Sequence, residues 1–92
     1  MAEEVRDNPA ESRFELDVSG HLAVAYYKLS PGLITFTHTE VPPALGGQGV
    51  GSRLIKGALE AVRARGLKVV AKCDFVAGYL GKHGKEFGDL IA

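Results

Sequence analysis

Four glycines crowd the run Gly46-Gly47-Gln48-Gly49-Val50-Gly51-Ser52, immediately before an apolar repeat of helical spacing. Glycine lets a backbone approach a ligand closely and adopt positive φ. The first amides of a helix have no partner inside it, and with the helix dipole they form an anion site. The chemistry suggested is phosphate binding, to which Ser52 adds a hydroxyl donor and Arg53 or Lys56 a positive charge. Two specific phosphate motifs fail. A nucleoside-triphosphate loop needs a lysine before Ser52, where Gly51 stands. A dinucleotide fingerprint needs an early βαβ unit and a glycine at position 52, whereas hairpins precede this turn. Taken alone, the turn is equally readable as a glycine-rich connection with no ligand.

A second group of reactive residues lies nearby. His38 and Glu40 stand just upstream of the turn, and Cys73 follows a later apolar run. Strict alternation puts Ile34, Phe36, His38 and Glu40 on one face of a strand, and Thr35, Thr37, Thr39 and Val41 on the other. Histidine titrates near neutral pH and suits a general base, and a glutamate acts directly or through water. A cysteine beside a histidine can be a nucleophile. The alternatives are plain: a solvent-facing polar strip for His38 and Glu40, and a small buried apolar residue for Cys73. Tyr26 and Tyr27 are adjacent in a strand, so they face opposite ways and form no stacking platform. His21 and His83 read as solvated surface residues, and the three histidines lack metal-ligand spacing.

These groups must be held by elements that the hydrophobic pattern outlines. Residues 1–12 read as a flexible N-terminal lead, and 13–92 as a single domain. From Arg13 to Val18, Phe14, Leu16 and Val18 alternate with Glu15 and Asp17, as in a half-buried strand. Ser19-Gly20 turns the chain into a second strand, Leu22 to Leu29, and Ser30-Pro31-Gly32 into a third, Leu33 to Val41. Short connections imply an antiparallel meander. Pro42-Pro43 ends the third strand. After the glycine turn, Val50, Leu54, Ile55, Ala58, Leu59 and Val62 recur at helical spacing up to a stop at Gly66. Lys68 to Cys73 is a fourth strand, parallel to the third because a helix connects them. A C-terminal helix then spans about Phe75 to Leu90. The fold class is α+β.

Composition bounds the function. The 92 residues carry no net charge, and a general nucleic-acid binder would show a basic excess. The single cysteine excludes an internal disulfide framework and fits a reducing compartment. The polar, acidic start and the absence of a long apolar run predict a cytoplasmic protein that neither spans nor binds a membrane. Exposed strand edges allow a monomer or a weak homodimer.

The run from Glu40 to Ser52, with its Val41-Pro42 strand exit, glycine turn and following helix, resembles the acetyl-CoA signature of the GNAT superfamily of N-acetyltransferases. The short chain and its His-Thr-Glu-Val-Pro-Pro segment resemble in particular the very small, single-domain members. Gly46 stands where the signature has an arginine or a glutamine. The resemblance implies transfer of an acetyl group from acetyl-CoA to an amine, with no metal. It implies coenzyme A contacts from Val41, Gly46, Gly47, Gln48, Gly49, Val50, Gly51 and Ser52, with His38 or Glu40 as base. The small members also carry a histidine on the third strand and a cysteine on the fourth, so a route through an acetylated Cys73 stays open beside direct transfer. Tyr79 resembles the tyrosine that protonates the leaving thiolate near the coenzyme sulfur, with core packing as its other reading. A non-catalytic coenzyme A-binding module and a small interaction domain are the alternatives. The larger members' helical pair after the first strand is missing, so the acceptor is not identified by the resemblance.

Overall fold

The computed structural model describes residues 4–92. Five strands form one sheet in sequential order. They are β1 (Arg6–Asn8), β2 (Arg13–Val18), β3 (His21–Ser30), β4 (Leu33–Glu40) and β5 (Lys68–Ala71). The first four pair antiparallel, and β5 runs parallel to β4. Helix α1 (Val50–Ala64) connects β4 to β5, and α2 (Asp74–Lys82) and the short α3 (Gly84–Phe87) follow. The meander, crossover helix and parallel last strand agree with the sequence pattern. Two elements differ from it.

The first is β1. The segment read as a lead carries a strand, and polar groups hold it. Arg6 and Asn8 both donate to the Glu15 carboxylate, and Tyr27 donates to Asp7, which also pairs with Arg65. Val5 packs where a side chain on Gly57 of α1 would stand, 2.5 Å from the position a Cβ would take. Polar pairing of this kind has no hydrophobic period, so pattern reading passes over it. Residues 1–3 of that lead lie outside the described residues.

The second is the C-terminal helix, which is broken. His83 leaves helical geometry at φ −118° and ψ 33°, a short α3 follows, and Gly88–Leu90 forms a 3-10 turn. Glycines at 81, 84 and 88 weaken continuous helix here. Ile91 then bridges to Val69 at the edge of β5.

The turns explain the register. In the β2–β3 hairpin, Ser19 and Gly20 both take positive φ, the geometry whose twist matches paired strands. At the end of α1, Gly66 has φ 70°, and the amides of Gly66 and Leu67 reach back to Arg63 and Val62, closing a Schellman motif. The core lies on one face of the sheet. Phe14, Leu16, Ala23, Ala25, Ile34, Phe36 and Val69 meet the α1 stripe of Val50, Leu54, Ile55, Ala58, Leu59 and Val62. Val76 and Leu80 of α2 close its end beside β4 and β5. Among the described residues no helix is long and apolar enough to cross a membrane.

Candidate functional site

The glycine turn is built from its two ends. Pro42 takes an extended conformation and Pro43–Leu45 makes one 3-10 turn, with Leu45 buried as its anchor. Gly47 (φ 77°) and Gly49 (φ 70°) then reverse the chain in a region that costs other residues strain. A Cβ at either would meet nothing within 4 Å, so their backbone is open to a ligand. Gln48 is exposed and donates to Ala44 O at 3.4 Å. The first bond of α1 runs from Arg53 N–H to Gly49 O. The amides of Val50, Gly51 and Ser52 precede it and have no partner inside the helix. A cavity of about 260 Å³ opens over them, lined by Val41, Leu45, the glycines, Ser52 and Phe75. Gly51 is a glycine for a packing reason: a Cβ there would lie 2.4 Å from Phe75 Cζ.

The second half of β4 departs from alternation. The β3–β4 register shifts between Tyr26 and Tyr27, so that Tyr27 faces Phe36 while Tyr26 faces His38, and Thr37 is the extra residue of a bulge. Ile34 and Phe36 are buried in the core, whereas His38 and Glu40 point out of the opposite face with side chains about 60% exposed. The expectation that these four share one face is therefore corrected. His38 and Glu40 still face the same way, with Nε2 and Oε2 3.7 Å apart. The His38 ring stacks on Tyr26 at 6.3 Å, and Arg13 donates to the Tyr26 hydroxyl.

Thr39 points the other way, pairing with buried Ala25, and its hydroxyl lies 3.3 Å from Cys73 Sγ. Cys73 is 9% exposed and sits two residues beyond β5, as the cap of α2 rather than the end of the strand. Neighbouring residues of a strand project to opposite faces. His38 and Cys73 are thus on opposite sides of β4, and the structure does not bring them together as a pair. Between them runs a gap. β5 pairs with β4 only as far as Phe36, with one further bond from Lys72 N–H to Phe36 O. Beyond it, among the described residues, Thr37 to Glu40 have no strand on that side.

Tyr79 is buried between α1 and the C-terminal segment. Its ring stacks on His83 at 4.1 Å and tilts against Phe87. Burial first, then the charges of Glu86 and Glu60, raise its pKa. His83 and Phe87 are the ring's aromatic partners. His83 is half-buried in that stack rather than solvated, while His21 is exposed as read. A second cavity, about 310 Å³, is lined by Ser52, Asp74, Phe75, Tyr79, Lys82 and His83.

Two features have little signal in the sequence. Phe75 lies off the buried Val76–Tyr79–Leu80 stripe, and an aromatic residue just outside an apolar stripe is the one clue to it. Glu15 is 3% exposed on the outer face, and bonds from Asn8, Arg13 and Arg6 hold its carboxyl below the usual range. Among the described residues no group of three or more His, Cys, Asp or Glu could hold a metal.

Comparison with known proteins gives this geometry a lineage. The family model described as GCN5-related N-acetyl-transferase matches residues 13–90. Among solved structures, a GCN5-like protein from Staphylococcus aureus, determined by NMR in solution, superposes with a TM-score of 0.75 at 31% identity. The match covers 100% of this chain and 91% of that one. No curated protein matches the chain.

Proposed function

The chain belongs to the GCN5-related N-acetyltransferase family, whose chemistry is acetyl transfer, and we propose that it passes the acetyl group of acetyl-CoA directly to an amine, with His38 as the base. The observation that carries the direct route is the bulge in β4, which sends His38 and Cys73 to opposite faces.

The reaction follows from the two sides of β4. The pyrophosphate of the donor fits the free amides of Val50, Gly51 and Ser52, reached through the open backbone of Gly47 and Gly49. From there the unpaired edge of Thr37 to Glu40 offers backbone groups to an extended, amide-bearing arm. The thioester then lies in the gap beyond Phe36. An amine arriving on the outer face meets His38, which takes its proton. Glu40, 3.7 Å away, stabilises the imidazolium that forms. The amine nitrogen bonds to the carbonyl carbon, the C–S bond breaks, and the thiolate is protonated from His38 or water. Cys73 lines the inner side of the gap, bonded to Thr39 and apart from the base.

Thiol release from acetyl-CoA across a panel of amines tests this. His38→Ala is expected to lower kcat while leaving KM for acetyl-CoA unchanged. Equal losses in both would assign His38 a structural role. Calorimetry with coenzyme A tests the donor: no binding at millimolar ligand would sink the whole reading.

A further inference from the structure

The outer face of the sheet carries two cross-strand rows. Asn8, Arg13, Tyr26 and His38 stand opposite one another from β1 to β4, and Arg6, Glu15, Val24 and Glu40 form the next row. We propose that Tyr26 is a positioning residue: its ring holds the His38 imidazole in one orientation at the open end of β4. The inference rests on the reading of His38 as the base and adds the group that aims it.

Freedom of the base is the first argument. His38 follows the bulge, its side chain is 63% exposed, and among the described residues it has no strand on its β5 side. Burial therefore does not choose among its staggered rotamers. A base that wanders among them is seldom within hydrogen-bond reach of an incoming amine. Glu40 is a weak guide, since it is 60% exposed and 3.7 Å away, beyond a good hydrogen bond. Tyr26 is half-buried and directly opposite on β3. Its ring lies 17° from the plane of the imidazole, with 6.3 Å between centroids.

Anchoring of the ring is the second argument. The Tyr26 hydroxyl accepts from Arg13 Nη1 at 3.2 Å, and the guanidinium carbon lies 5.8 Å from the ring centroid. Arg13 in turn donates from Nε to Glu15 at 2.7 Å. Glu15 is buried and also accepts from Asn8 and Arg6. Order thus passes outward from a buried carboxylate through Arg13 to Tyr26, and by stacking to His38. None of these residues lines the cavity over the glycine turn, so loss of the Tyr26 ring should leave the donor site unchanged.

Two measurements on wild type, Tyr26→Phe, Tyr26→Val and His38→Ala test this, with circular dichroism to confirm that each variant is folded. One is turnover of acetyl-CoA with the best amine of the panel. The other, for the three proteins that keep His38, is the set of NMR three-bond couplings about its Cα–Cβ bond. Wild type and Tyr26→Phe, which keeps the stacking ring, should show the couplings of a single rotamer. Tyr26→Val should show averaged couplings, with kcat about three- to tenfold lower and KM for acetyl-CoA unchanged. Tyr26→Phe should keep kcat within about twofold of wild type, since Phe stacks as Tyr does. Averaged couplings in wild type, or undiminished kcat in Tyr26→Val beside a His38→Ala variant that loses turnover, overturn the positioning role and leave His38 as the base. So does a Tyr26→Phe variant as impaired as Tyr26→Val. Full turnover in His38→Ala overturns the base reading itself, and the positioning claim falls with it.

Discussion

The two halves of β4 belong to one strand and behave as two different objects. Leu33 to Phe36 has a strand on each side and alternates regularly, so that Ile34 and Phe36 fill the core. Thr37 to Glu40 has β3 on one side only, begins with a bulge, and turns its histidine and glutamate outward. The first half is fixed by burial. The second half is relieved of it, and that freedom lets two polar side chains stand beside an open gap. The same contrast separates two carboxylates in one cross-strand row. Glu15 is buried and bonded by three donors, whereas Glu40 is exposed beside His38.

The contrast can be broken at several points. Phe36→Ala should cost about 3–5 kcal/mol in chemical denaturation, since it empties a fully buried site. His38→Ala, two residues on, should change stability by less than about 0.5 kcal/mol and yet lower turnover about a hundredfold. Comparable destabilisation by both would erase the distinction between the halves.

The glycine turn gives an intermediate effect. Gly49→Ala forces an alanine to φ 70° and should cost about 1–2 kcal/mol. Gly46 has φ −60°, and a Cβ there would lie 3.2 Å from Pro43 O, so Gly46→Ala should cost no more than a few tenths of that on the same measurement.

The smallest expected effect is a slope with pH. The Glu15 carboxyl is held below its ordinary value, so its contribution is present above the usual carboxylate range and lost as pH falls through the depressed value. Denaturation midpoints of wild type should fall over that acidic interval. Glu15→Gln should lack this part of the slope, and Glu40→Gln should keep it.

How much of this was legible follows the same division. Three of the five strands, the helix stripe and the parallel fourth strand of the pattern could be read because burial imposes a period of two or of about 3.6 on the apolar residues. The glycine turn could be read because positive φ and an unpartnered helix start restrict composition. The facing of His38 could not. A bulge adds one residue without changing any residue type, and Thr37 looks like any other strand threonine. β1 was also illegible, because Arg6, Asp7 and Asn8 are held by charge and hydrogen bonds rather than by an apolar face. That one inserted residue turns His38 to the outer face, while Thr39 meets the Cys73 thiol.

With the base and the cysteine on opposite sides of β4, the proposed direct route forms no acetyl-cysteine on the way to product. It is tested most directly by mixing the protein at stoichiometric concentration with acetyl-CoA, without an acceptor, and following free thiol. No burst is expected, with thiol appearing only when an amine is added. A burst approaching one equivalent, absent from Cys73→Ala, would contradict it.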